Sequence, residues 1–191
     1  MNYKKEIDQY LNTEIEIIKS LDHDVINQIM NEIRASQERG GCIYICGNGG
    51  SAATASHYCC DFNKGVSGEE QLNTNFICLS DNTSTITAIA NDISYDEIFS
   101  YQLKNRIKPN DLLFVISGSG NSKNIVRAME VVKEKKNRII GLCGYDGGKV
   151  KELSDICLHV NINNMQIVED IHMILNHCMM YVLSLCAKNN F

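Results

Sequence analysis

The chain has 191 residues, a hydrophobic share of 44%, a charged share of 21% and a formal net charge of -5. That length suits one packed domain and is short for two, and the composition excludes a disordered or fibrous chain. A net negative charge without any dense basic stretch excludes the electrostatic footprint of a nucleic-acid binder.

Apolar residues at helical spacing open the chain, first Ile7, Leu11, Ile15 and Ile18, then Val25, Ile29 and Ile33, with Leu21-Asp22 as the break between two predicted helices. After Gly40-Gly41 the period changes to a short apolar run, Cys42 to Cys46, which predicts a buried strand. Further strands are predicted at Asn75 to Leu79, Asp111 to Ile116, Arg138 to Leu142 and Asp155 to Val160, each separated from the next by a polar turn and a stretch that can be helical. Pro109 falls in the turn before the third strand. Strands alternating with helices predict an α/β fold with a parallel sheet between helix layers. Asn63 to Asn75 reads as one long polar loop, a lid or mobile edge, and Val168 to Leu185 as a long, largely buried helix of the kind that lies at subunit interfaces.

Nine cysteines are an odd count, no CxxC pair occurs, and no secretory leader opens the sequence. Reduced thiols in a cytoplasmic protein are therefore expected, without disulfides or a tetrathiolate zinc site. Cys42, Cys46, Cys78, Cys143 and Cys157 lie in apolar runs and are assigned to packing. No apolar stretch approaches the roughly 20 residues that span a bilayer, so no membrane partner is expected.

Four constellations carry chemistry. Gly47-Asn48-Gly49-Gly50-Ser51 joins the first strand to a helix, at the carboxyl end of a strand, where ligands of parallel sheets bind. Taken alone it is equally well a tight turn. Ser117-Gly118-Ser119-Gly120-Asn121-Ser122 occupies the matching position after the third strand, and its hydroxyls, glycines and helix amino terminus make a neutral phosphate cradle. Neither loop has the spacing of a triphosphate or dinucleotide site, so a small phosphorylated metabolite is the expected ligand. His57 and Asp61, four apart, share one helix face and can move a proton or share a metal, although such a pair is commonly no more than a hydrogen-bonded one. Glu169, Asp170, His172 and His177 are polar groups in the apolar last helix. Glu169 and His177 lie on nearly one face but roughly 12 Å apart along the axis. His172 is expected to be a satisfied core histidine, and Asp170 a solvated or capping carboxylate.

Taken in order, the CGNGGSAA loop, Asn91-Asp92 followed by Tyr95 and Ile98-Phe99, the ISGSGNS loop and the terminal EDIHMILNH resemble the phosphoheptose isomerases of the SIS-domain type, from about Gly40 to about Leu185. The resemblance implies a single SIS domain over 39–191, with a five-stranded parallel sheet, and N-terminal helices over 1–38 that belong to the same domain and serve oligomerisation. It implies a homotetramer with sites between subunits, and interconversion of sedoheptulose 7-phosphate with an aldoheptose 7-phosphate. By resemblance, Asn48, Gly49, Gly50 and Ser51 line the sugar site, Asn91 and Asp92 contact substrate hydroxyls, and Ser117, Gly118, Ser119 and Ser122 hold the phosphate. His57, Asp61, Glu169 and His177 correspond to ligands of a zinc or other divalent ion, with Glu169 also near substrate. Asp61 stands for the family's general base and His177 for its partner. Asp61 is one methylene shorter than the family's usual glutamate, and Glu169 stands where many members have glutamine. The other reading is a non-catalytic SIS module that binds a sugar phosphate or a partner and regulates something else. Retention of both His57 and His177 favours the enzyme.

Overall fold

The computed structural model describes residues 1–66 and 74–188, with side chains through Cys186. Helices α1 (Lys4–Ser20) and α2 (His23–Glu38) meet at the expected break, where the Asp22 carboxylate caps α2 by accepting from the amides of Asp24 and Val25. Then follow β1 (Ile43–Cys46), α3 (Gly50–Cys60), β2 (Phe76–Cys78), α4 (Thr83–Asp92), α5 (Ser100–Lys104), β3 (Leu112–Ser117), α6 (Lys123–Glu134), β4 (Arg138–Cys143), α7 (Gly148–Leu153), β5 (Ile156–His159) and α8 (Met165–Lys188). All five predicted strands form one sheet in the order β2-β1-β3-β4-β5, every pair parallel. None of the described helices is long and apolar enough to cross a membrane.

Alternation along the strands divides the core in two. Ile43, Ile45, Leu112, Phe114, Ile116, Ile140 and Leu142 pack under α2, α3 and α8. Tyr44, Cys46, Leu113, Val115 and Ile139 face the opposite layer, against Ile89, Leu103, Ile125, Met129 and Val150 of α4 to α7. Both sheet faces are covered, and each strand therefore reads as an unbroken apolar run. The strand order reverses between β1 and β3, so their carboxyl ends, with the two Gly/Ser turns, flank the crevice where open α/β sheets bind ligands.

Two expectations need correction. The polar segment from Asn63 does not start a loop, because α3 runs on into a π-helical turn, Asp61–Val66. Phe62 anchors that turn in the core between Tyr58 and Phe76, and Asn63 bonds the main chain of Phe76 twice, at 2.9 and 2.8 Å. The remainder of the expected loop, 67–73, lies outside the described residues. The last helix starts three residues earlier than expected and buries one stripe, Ile167, Val168, Ile171, Leu175, Met179 and Leu183, while Tyr181 and Leu185 stay exposed. Helix α1 buries no residue, and Tyr3, Ile7, Leu11 and Ile15 form an exposed apolar row along it.

Candidate active site

The two turns are joined side chain to side chain. Asn48, after β1, exchanges two 2.9 Å amide hydrogen bonds with Asn124 in the first turn of α6, and its Oδ1 also accepts from the Tyr95 hydroxyl at 3.0 Å. Asn124 is buried. A buried amide pair that satisfies itself is well defined in orientation, so it fixes the spacing between the turns.

The serine turn is held open by its backbone. Gly120 has φ +68°, donates to the Ser117 carbonyl at 3.0 Å, and accepts from the Val150 amide at 2.9 Å. The left-handed conformation is one that only glycine adopts freely. Ser122 occupies the N-cap of α6 but makes no side-chain capping bond; its hydroxyl accepts only from Ser117, at 3.5 Å, and with the Ile125 amide taken by Asn124 Oδ1 at 2.9 Å the amides of Lys123 and Asn124 are those left to an anion. Between the turns lies a cavity of about 180 Å³ lined by Asn48, Ser51, Ile116, Ser117, Gly118, Ser119, Ser122, Met165 and Glu169. Seven of these nine were singled out from sequence. A larger cavity of about 460 Å³, lined by Glu32, Arg39, Pro109, Asp111 and Lys136 among others, opens at the amino ends of the strands, away from both turns.

At the far end of α3 the imidazoles and a carboxylate converge. His57 Nε2 is 3.0 Å from His177 Nε2 and 3.2 Å from Asp61 Oδ2, and His177 Nε2 is 3.7 Å from the same oxygen. The π-helical turn begins at Asp61, and such turns recur at functional sites because they redirect one side chain without ending the helix. The histidine side chains are 43% and 56% exposed and that of Asp61 16%, so the trio opens to solvent. Its three edges bracket the roughly 3.3 Å edge of a tetrahedron with metal-ligand bonds of about 2.0–2.1 Å, and the donor set of two imidazoles and one carboxylate is that of catalytic zinc sites. Among the described residues it is the one such group of three whose donor atoms lie within 4.8 Å of one another.

Glu169 stands apart from this trio. Its carboxylate lies against Gly50, where an added Cβ would meet it at 2.6 Å, and so faces the amino end of α3 and the serine cavity. The positive end of the helix dipole favours a carboxylate there. Asn91 and Asp92 are exposed at the end of α4, bonded to each other at 2.8 Å, and are absent from the cavity lining. Asp170 is exposed and accepts the Tyr10 hydroxyl, so it ties α1 to α8 and is not merely solvated. His159 bridges Lys151 and the Tyr145 carbonyl, a structural role.

His172 is buried, as expected, but not satisfied. The main chain of Cys143 lies near its ring, yet among the described residues neither ring nitrogen finds a hydrogen-bond partner of good geometry. Burial lowers its pKa to about 4 from 6.5. The folded value lies below the unfolded one, so the unfolded chain takes up the proton first as pH falls, and stability is lost from about pH 6.5 down to about pH 4. Lowering the pH from 7 to 5 should cost about 2 kcal/mol through this residue. Urea denaturation at the two pH values should show a smaller difference in His172→Leu than in the parent.

A family model described as "SIS domain" matches residues 3–144. The phosphoheptose isomerase of Rhodospirillum rubrum is 38% identical over 157 residues, which cover 81% of this chain and 83% of that protein. A phosphoheptose isomerase of Helicobacter pylori is 37% identical over 175 residues, 91% of this chain and 88% of that protein. Structures of phosphoheptose isomerases from Francisella tularensis and Neisseria gonorrhoeae each align with a TM-score of 0.86 at 28% identity, covering 97% and 95% of this chain and 100% and 99% of those chains.

Proposed function

Because this chain belongs to the SIS-domain family and, within it, to the phosphoheptose isomerases, we propose that it interconverts sedoheptulose 7-phosphate and D-glycero-D-manno-heptose 7-phosphate through an enediol. The observation that carries the reading is the meeting of Asp61 and His177 at 3.7 Å, from two separate helical segments, on the helix whose other end borders the serine cavity. The phosphate enters between Ser117, Gly118, Ser119 and Ser122. From Ser51 the helix runs roughly 9 Å along its axis to His57, which sets the sugar between the two groups of residues. Asn48, Gly49, Gly50 and Ser51 line its path, and Asn91 and Asp92, four and three residues before Tyr95, meet its hydroxyls.

The Asp61 carboxylate removes the proton from C1 of the ketose while His177 gives one to the carbonyl oxygen at C2, which forms the enediol. His177 then takes the hydroxyl proton at C1, and Asp61 returns its proton to C2. Each residue ends as it began, so the reaction consumes no co-reactant. The trio fits a divalent ion: His57, Asp61 and His177 would hold it, and Glu169 would have to leave Gly50 to join them. Zinc bound there would stabilise enediolate charge and orient sugar oxygens, and His177, with Nε2 on the ion, would exchange its proton at Nδ1.

A cavity of about 180 Å³ is smaller than the roughly 300–1,000 Å³ of small-molecule sites, and the catalytic trio is open. Both features support a site completed by a second copy, and the exposed apolar row of α1 supports assembly through the N-terminal helices over 1–38, as a homotetramer. A cytoplasmic enzyme that supplies heptose for surface glycoconjugates fits this chemistry.

The direct test incubates purified protein with sedoheptulose 7-phosphate in deuterated buffer, with and without added zinc, and follows the aldose and its label at C2 by NMR. Conversion is expected. Binding of the sugar phosphate without conversion in either condition would replace the isomerase with a sugar-phosphate-binding module. Ser119→Ala and Ser122→Ala are each expected to raise KM about tenfold to hundredfold and to change kcat little, because one hydrogen bond to a charged group is worth about 1.5–3 kcal/mol and the phosphate is bound equally in ground and transition states.

A further inference from the structure

Among the described side chains of α8, every buried one is apolar except two, His172 and Asn176. Asn176 is fully buried beside Leu175 and Met179, where an unpaired amide costs several kcal/mol. Its Nδ2 donates to Asp61 Oδ2 at 2.6 Å, and its Oδ1 has no hydrogen-bond partner among the described residues. The orientation of the amide follows from chemistry, since an ionised carboxylate only accepts and a reversed amide would set two oxygens against each other.

The oxygen that Asn176 grips is the one that faces both imidazoles, 3.2 Å from His57 and 3.7 Å from His177. All three of these contacts of the Asp61 carboxylate fall on Oδ2, which leaves Oδ1 to accept a proton from carbon. A carboxylate on a short side chain keeps two torsions that can swing it out of register, and an error of about 1 Å at a reacting group costs on the order of a hundredfold. A donor rooted in the packed interior removes that freedom.

We propose that Asn176 is the positioning residue for Asp61: its buried Nδ2 fixes Oδ2 in the His57–His177 cluster and so presents Oδ1 to the sugar. The assignment rests on the isomerase reading of Asp61. It explains how a chain with aspartate at the base position keeps a productive geometry, and why α8 retains a polar group where packing alone calls for an apolar one.

Substitutions at position 176 separate positioning from packing. Asn176→Leu fills the space and Asn176→Ala leaves a cavity, so their melting temperatures differ, while both lose the donor. Positioning predicts the same fall in kcat in both, about tenfold to hundredfold, with KM within about threefold of the parent. Cobalt(II) binding, followed by its visible absorption without sugar, should weaken about tenfold to hundredfold in both single variants. The assignment is overturned by a kcat within about threefold of the parent in Asn176→Leu, or by losses that follow melting temperature instead of the missing donor. A parent without isomerase activity overturns the functional reading instead, and cobalt affinity then decides alone: weakening upholds the tether, and unchanged affinity in both variants removes it.

Discussion

Asp61→Asn is expected to lower kcat for sedoheptulose 7-phosphate by about three orders of magnitude while the protein still binds inorganic phosphate. Positioned proton transfer contributes about 10² to 10⁴ in rate, and an amide cannot take a proton from carbon. The substitution changes almost no volume, yet it sets two amides together at the 2.6 Å contact with Asn176 and removes the carboxylate 3.2 Å from His57. The serine turn proposed to hold the phosphate lies apart, after β3, and among the described residues none of its side-chain hydrogen bonds reaches Asp61. His177→Gln should fall in the same range, and the double variant should lose much less than the product of the two, because a base and its partner act as one unit. Single-turnover kinetics for the parent and three variants, with phosphate binding by calorimetry, check this. Turnover within about tenfold of the parent in either single variant would remove that residue from the acid-base pair.

The layered α/β architecture and the places of the two Gly/Ser turns were legible because they rest on local signals. Apolar runs such as Ile43–Cys46 and Leu112–Ser117 are continuous because both sheet faces are covered, and each Gly/Ser turn has to stand where a strand hands over to a helix. What was not legible depends on distant pairs. Asn48 and Asn124 are 76 positions apart, and nothing near Asn124 marks it as the partner that spaces the turns. Asp61 and Asn176 are 115 apart, and the only trace of their contact is a polar residue in an apolar helix, a signal read for His172 and His177 but not for Asn176. The π-helical turn escaped because Gly65 and the polar residues around it read as a loop, while the anchor of the turn is Phe62 packed on Tyr58 and Phe76. Spacing along α8 put Glu169 roughly 12 Å from His177, and the structure accordingly sets it at Gly50, on the serine cavity and apart from the imidazoles.

Gly120→Ala is expected to damage the protein more broadly than any serine substitution, lowering the melting temperature and abolishing detectable phosphate binding together. At φ +68° an alanine costs roughly 1–2 kcal/mol from backbone strain alone. Its Cβ would stand 2.1 Å from the Gly147 carbonyl oxygen and 2.6 Å from the carbonyl carbon, which are main-chain atoms unable to rotate away. Relief needs the serine turn to move off the start of α7, which breaks the 2.9 Å bond from the Val150 amide to the Gly120 carbonyl and carries Ser119 and Ser122 with it. A total loss of about 3 kcal/mol corresponds to a fall of roughly 6–12 °C in a chain of this size. The contrast with Ser119→Ala is the informative part, since that change deletes a hydroxyl and leaves the backbone clasp in place, so its melting temperature should stay near that of the parent. A Gly120→Ala protein that melts with the parent and binds phosphate normally would mean that the turn is held by something other than its contact with Gly147, and the anion cradle would then need a different source of rigidity.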